Sequence, residues 1–167
     1  LKVYLLHFIK RYPTYTSMGT KYKGSSEDVL SLNAFICLAR AADSINNRLN
    51  AYISGYSLTI SQFGILEALY HMGSMCQKQL SDKILKSTAN ITTVIDNLEK
   101  RSLVKRIRQE ADRRYITVEL TEKGRKLIQE IFPEHVKHIN EEMAILSKEE
   151  KLHLKNLCKI VGKKERC

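Results

Sequence analysis

The chain runs to 167 residues, 43% of them apolar and 28% charged, a balance expected of one compact soluble unit and too apolar for a disordered tail. Lysine and arginine outnumber aspartate and glutamate by 28 to 18, an excess that favours a polyanionic partner. No apolar stretch approaches the roughly 18 residues that cross a bilayer, and His7 and Lys10 interrupt the opening LKVYLLHFIK, so neither a membrane span nor an export signal is read and a cytoplasmic location is expected.

Residues 1–25 contain Pro13, Gly19, Gly24, Ser25 and Ser26 nearby, without a sustained apolar period, and are read as an N-terminal arm. Its tyrosines, Tyr4, Tyr12, Tyr15 and Tyr22, and its two basic clusters leave open whether it docks on the body, on DNA or on neither. From Asp28 to Ile53 the apolar positions Leu32, Phe35, Ile36, Ala39, Ala42, Ile45, Leu49 and Ile53 step by three or four, the period of a long amphipathic helix. Gly55 follows as a stop. Thr59-x-x-Gln62 reads as a capping box for a second helix carrying Phe63, Leu66, Leu69 and Tyr70, closed by Gly73.

Gln77 to Lys86 reads as a short helix with Leu80, Ile84 and Leu85 on one side, too small to stand without neighbours. Ser87 and Thr88 can cap the next helix, where Ile91, Val94, Ile95 and Leu98 recur at helical spacing and Asn90, Thr92, Thr93, Asp96 and Asn97 fall on other faces. The period then changes to two: Leu103, Lys105 and Ile107 alternate with Val104, Arg106 and Arg108, and Ile116, Val118 and Leu120 alternate with Tyr115, Thr117 and Glu119. This predicts a β-hairpin with a charged tip, QEADRR at 109–114. Thr121 can cap a helix holding Leu127, Ile128, Ile131, Phe132, Val136, Ile139 and Met143, which Pro133 is expected to kink. A last capping box, Ser147-x-x-Glu150, opens a helix through Leu154, Leu157, Ile160 and Val161 that is expected to stop at Gly162.

Two helices joined by a tight turn form a helix-turn-helix, whose second helix enters the major groove of DNA, and the hairpin after it would be a wing. On that second helix the outward Asn, Thr and Ser side chains can bond base edges and phosphates, although the same residues also suit a plain solvated face. Asp112, Arg113 and Arg114 place guanidinium groups on a narrow hairpin tip able to reach the minor groove. Alone such a tip would be a solvated turn; behind a helix-turn-helix it reads as a DNA contact. The candidate DNA-binding residues are Lys78, Ser87, Thr88, Asn90, Thr92, Thr93, Asn97, Arg106, Asp112, Arg113 and Arg114.

From about Ser26 to Gly162 the chain resembles the MarR family of bacterial regulators. The resemblance rests on LTISQFGILEAL (58–69), KQLSDKIL (78–85), STANITTVIDNLEKRSLV (87–104), the D-x-R element Asp112 to Arg114, and LTEKG (120–124). It implies a mainly α fold with a small β-hairpin wing: a winged lobe at about 58–121, and dimerisation helices at about 28–54 and 122–162 that interlock in an obligate homodimer. It also implies that Arg114 enters the minor groove of a palindromic double-stranded operator. Ser102 stands where the family usually has Gly, so the backbone there either avoids the left-handed region or Ser holds it at a modest cost. Independently of the family, the wide apolar faces of the first and last two helices call for a partner.

No enzyme is expected, because His7, His71, His135, His138 and His153 form no acid–base constellation. His135 and His138 share a face at i and i+3 but lack the further ligands of a metal site, so neither metal nor cofactor is assigned. Cys37, Cys76, Cys158 and Cys167 are too scattered for a zinc site or a disulfide framework and read as reduced thiols. Some family members sense peroxide through a cysteine near the start of the first helix. Cys37 lies about half a turn from that position and reads as a packing residue. The resemblance also suggests a small aromatic effector between dimer helices and lobe, near Arg40, Tyr70 and His71, residues that equally suit ordinary packing and solvent. The function expected is a transcriptional repressor released from its operator by an aromatic ligand or an oxidative signal. The alternatives are a constitutive DNA-binding regulator and a winged-helix protein-interaction module.

Overall fold

The computed structural model describes residues 19–84, 88–108 and 116–164. They build six helices around one short three-stranded sheet, in the order α1 (Ser26–Ser54), α2 (Ile60–Met72), β1 (Met75–Cys76), α3 (Gln77–Ile84), α4 (Thr88–Lys100), β2 (Val104–Arg108), β3 (Ile116–Leu120), α5 (Glu122–Met143) and α6 (Lys148–Lys163), with β1 a two-residue addition to the hairpin. By contact the chain divides into two units, one through Arg48 and one from Leu49 onward.

In the first unit α1 starts at Ser26, two residues before the helix read from Asp28 onward. Ser25 and Asp28 exchange bonds, the Asp28 amide donating to Ser25 Oγ at 3.1 Å and the Ser25 amide to Asp28 Oδ2 at 3.2 Å, which satisfies two amides that a helix start leaves unpaired. Ahead of this cap the Thr20 amide donates to Asn33 Oδ1 at 2.7 Å, so the last residues of the predicted arm are tied to the helix. Leu30, Leu32, Phe35 and Leu38 are exposed along α1.

In the second unit Leu49 and Ile53 of α1 are buried. The left-handed residue after this helix is Ser57, at φ 56°, rather than Gly55. Both capping boxes read from the sequence are present, at Thr59–Gln62 and at Ser147–Glu150, and Thr121 accepts from the Gly124 amide to start α5. Gly73 takes a positive φ and closes α2. The core is made by Ile65 and Leu66 of α2, Leu80 of α3, Ile91, Ile95 and Leu98 of α4, Val104 and Val118 of the hairpin, and Ile128 and Ile131 of α5.

The sheet is antiparallel in the order β1-β3-β2, with Val104 opposite Leu120 and Arg108 opposite Ile116. β1 adds Met75 opposite Val118 and Cys76 opposite Thr117, a pairing absent from the sequence reading because two residues show no period. α5 runs as one helix with Pro133 inside it. α6 continues past Gly162 to Lys163 and is capped by Lys164, which takes the left-handed conformation. Nothing on α6 is buried: Leu152, Leu154, Leu157 and Val161 are all exposed. No described helix is long and apolar enough to cross a membrane.

Candidate nucleic-acid interface

α3 and α4 are separated by residues 85–87 and pack on each other and on α2. One face of α4 is fully buried, with Ile91, Ile95 and Leu98 each at 0% exposure. At roughly 1.5–3 kcal/mol for each buried side chain, this face fixes α4 to the lobe more strongly than any one hydrogen bond, worth about 0.5–1.5 kcal/mol net. The opposite face is exposed and polar: Asn90, Thr93, Asn97 and Lys100 follow one another at intervals of three, four and three residues, the spacing of a single helical row. Lys100 belongs to this row and is not among the candidates read from the sequence. Lys78, on the first turn of α3, is exposed as well.

Between these faces runs a third row, Thr92, Asp96 and Glu99, half-buried and bonded to the lobe. Gln77 Nε2 of α3 donates to Thr92 Oγ1. Arg106 of β2 reaches back to the other two: its Nη2 donates to Asp96 Oδ1 and its Nη1 to Glu99 Oε2, both at 2.5 Å, and its amide to Glu99 Oε1 at 3.0 Å. Burial disfavours the guanidinium charge, but the two carboxylates outweigh it and hold the Arg106 pKa above its ordinary value. Of the sequence candidates, then, Asn90, Thr93 and Asn97 share an exposed row with Lys100, whereas Thr92 and Arg106 are engaged within the lobe. Thr88 opens α4. Ser87, Asp112, Arg113 and Arg114 lie outside the described residues.

The carboxyl end of α4 is also tied down. Ser102 takes φ 57°, and the pair of bonds from the Ser102 amide to Glu99 O and from the Leu103 amide to Leu98 O forms a Schellman closure. Lys123 Nζ donates to Arg101 O at 3.0 Å, a cation where the helix dipole favours one. Arg101 Nη1 donates to the carbonyl of left-handed Ser57 at 2.6 Å. Sequence reasoning had no signal for these long-range bonds, because charge alone does not give a direction.

The histidines sort by aromatic contacts. His135 stacks near Phe63 at 4.5 Å between ring centroids, and His138 near Tyr52 at 4.3 Å, so the two turn to different partners although they share α5. Tyr52 donates its hydroxyl to Ile131 O at 3.1 Å; burial and the neighbouring Tyr56 push its pKa up. Tyr70 and His71 meet at 5.0 Å, and His71 meets Phe132 at 4.6 Å. Cys37 and Cys76 are half-buried and Cys158 is exposed.

A polar row on the second of two packed helices, followed by an antiparallel hairpin, defines a winged helix-turn-helix DNA-binding protein. Residues 48–131 match the family model "Transcriptional regulator SarA/Rot", and the chain is 41% identical over 132 residues to the HTH-type transcriptional regulator MhqR of Bacillus subtilis, covering 79% of this chain and 91% of that one. The chain belongs to the SarA/Rot family of winged helix-turn-helix transcriptional regulators. Its fold is that of AbsC, a MarR family regulator from Streptomyces coelicolor, with a TM-score of 0.76 at 21% identity over 85% of this chain and 97% of that one. It is also similar to Bordetella bronchiseptica BpsR, with a TM-score of 0.69 at 26% identity over 75% of this chain and 96% of that one. That structure describes regulation of BpsR DNA binding by 6-hydroxynicotinic acid. The family and these relatives are regulators of transcription, not enzymes.

Proposed function

We propose that the protein is a dimeric repressor that reads a palindromic operator with Asn90, Thr93 and Asn97 of α4 and leaves it when a small hydroxylated aromatic ligand binds. The observation that carries the reading is the exposed row at 90, 93, 97 and 100 set opposite three fully buried apolar residues. Asparagine and threonine can both donate and accept toward base edges, and Lys78 and Lys100 add cations for phosphates. Ser87 directly before α4, Thr88 at its first position and the D-x-R sequence Asp112–Arg114 between β2 and β3 are carried into this reading as further candidate contacts by their place in the sequence alone.

Dimerisation is supported by the exposed apolar side chains of α1 and α6, among them Phe35 at 67% and Val161 at 61%. Rows of that kind rarely face water on a monomer, and a twofold partner would cover both. Release by an aromatic ligand rests on the likeness to BpsR, whose DNA binding 6-hydroxynicotinic acid regulates. Band-shift titration against the DNA upstream of the protein's own gene tests the whole reading. A panel of phenols and hydroxylated aromatic acids, including 6-hydroxynicotinic acid, should contain at least one compound that dissolves the complex. A complex untouched by all of them and by peroxide would leave a constitutive regulator instead.

A further inference from the structure

We infer that Arg106, with Asp96 and Glu99, is a positioning device that sets the roll of α4 about its own axis, and that these residues determine operator specificity without touching DNA. The inference rests on the proposed reading of α4 as the base-reading helix. At 100° per residue, Thr92, Asp96 and Glu99 lie in one row, about a third of a turn from the buried Ile91–Ile95–Leu98 face and a similar angle from the exposed Asn90–Thr93–Asn97 row. Apolar packing is not directional, so the buried face holds α4 against the lobe but resists rolling poorly. Hydrogen bonds are directional, and the fork of Arg106 spans both carboxylates, one turn apart on the helix, with its own amide adding a third bond to Glu99. Gln77 grips Thr92 in the same row nearer the amino end.

The magnitude decides what such a clamp is for. Side-chain tips on a helix lie about 5–6 Å from its axis, so a roll of about 10° moves them by roughly 1 Å. Base-edge hydrogen bonds tolerate only about 0.5 Å, whereas a long lysine follows a phosphate through that shift. Loosening the clamp should therefore erase sequence preference and spare general affinity for DNA. Charge counting gives the opposite sign for the carboxylates, since removing Asp96 or Glu99 makes the protein more basic.

The test uses the full chain, a duplex selected from a random-sequence pool by the wild-type protein, and an unrelated duplex of equal length. Arg106→Gln, Arg106→Lys, Asp96→Asn and Glu99→Gln should each lower the ratio of selected to unrelated affinity by at least about fivefold, with an unchanged salt slope. Arg106→Lys keeps the charge but not the fork, so it should keep affinity for the unrelated duplex and still lose the ratio. Circular dichroism checks the fold, and if Arg106→Gln fails to fold, the milder Glu99→Gln and Arg106→Lys carry the test. The inference is overturned if Arg106→Lys binds like wild type while Arg106→Gln loses on both duplexes with a slope shallower by about one, the signature of a phosphate contact. It is equally overturned if Asp96→Asn and Glu99→Gln keep the wild-type ratio. A wild-type protein that selects no sequence would overturn the operator-reading function itself, a result separate from variants that retain a preference.

Discussion

Gly124, in the first turn of α5, lies directly against the carbonyl of Leu103: a Cβ at residue 124 would overlap the Leu103 oxygen. That same oxygen accepts from the Thr121 amide at 3.1 Å, so the start of α5 and the start of the hairpin meet backbone to backbone. Gly124→Ala should therefore destabilise the fold by about 1–3 kcal/mol or more, as overpacking does. Gly64, inside α2, is the control, because a Cβ there meets only the Ile84 side chain at 3.8 Å. Gly64→Ala should be neutral or gain up to about 1 kcal/mol through the unfolded chain. Urea melts of the pair should move in opposite directions or at least by very different amounts. Equal losses would refute the close approach.

Ser102 pays a left-handed penalty at φ 57° to close α4. Its hydroxymethyl group is exposed, so nothing is lost when it is removed. Ser102→Gly should raise stability by up to about 1 kcal/mol, and Ser102→Val should lower it by more. A lower melting temperature for Ser102→Gly would show that the serine side chain contributes something the backbone argument omits.

His135 gives the stability a pH dependence of definite sign. Burial lowers its pKa, with the neighbouring Glu67 opposing and His138 assisting, and its Nδ1 is buried without a hydrogen-bond partner among the described residues. The unfolded chain, with an ordinary pKa of about 6.5, takes up the proton first. Stability is then fully present above about pH 6.5 and falls as the pH descends from there toward the lower folded value. Thermal midpoints of wild type should drop between pH 7 and pH 5 more steeply than those of His135→Gln. Parallel curves would mean that His135 is equally protonated in both states.

Association should depend on side chains that do nothing for the single chain. Phe35 on α1 and Leu157 on α6 are 67% and 48% exposed, so Phe35→Glu and Leu157→Glu should leave a folded protein. If a second copy covers these faces, each buried carboxylate is costly, and sedimentation at micromolar concentration should show monomers for both variants and dimers for wild type. Dimers in all three samples would move the interface elsewhere.

What the sequence revealed follows the range of the interactions involved. Capping boxes at Thr59 and Ser147 were legible because both partners lie three residues apart, and the hairpin was legible because its period is two. The box at Ser25 was missed because Asp28 stands where Glu or Gln is the usual partner. The first helix does stop before Gly55, with the left-handed position two residues on at Ser57, whereas the last helix runs through Gly162 to a left-handed Lys164, since glycine permits that conformation without requiring it. In the candidate site Asn90, Thr93 and Asn97 of the exposed row were legible from the complementary spacing of Ile91, Ile95 and Leu98, whereas Lys100 and the inward turn of Thr92 toward Gln77 were not. The inward turn of Arg106 was not, because its partners become neighbours only when β2 folds back along α4.

The most direct test is to remove the exposed row. Each of Asn90→Ala, Thr93→Ala and Asn97→Ala should weaken binding to the selected operator by about 1–3 kcal/mol and relax preference at its own base pairs. Because the dimer would be twofold, those base pairs should come in two symmetric sets about 10 base pairs apart. The triple variant should keep its fold, its dimerisation and its affinity for unrelated DNA while losing the operator. A triple variant that selects the same sequence with the same affinity would contradict the reading of α4 as the base-reading helix.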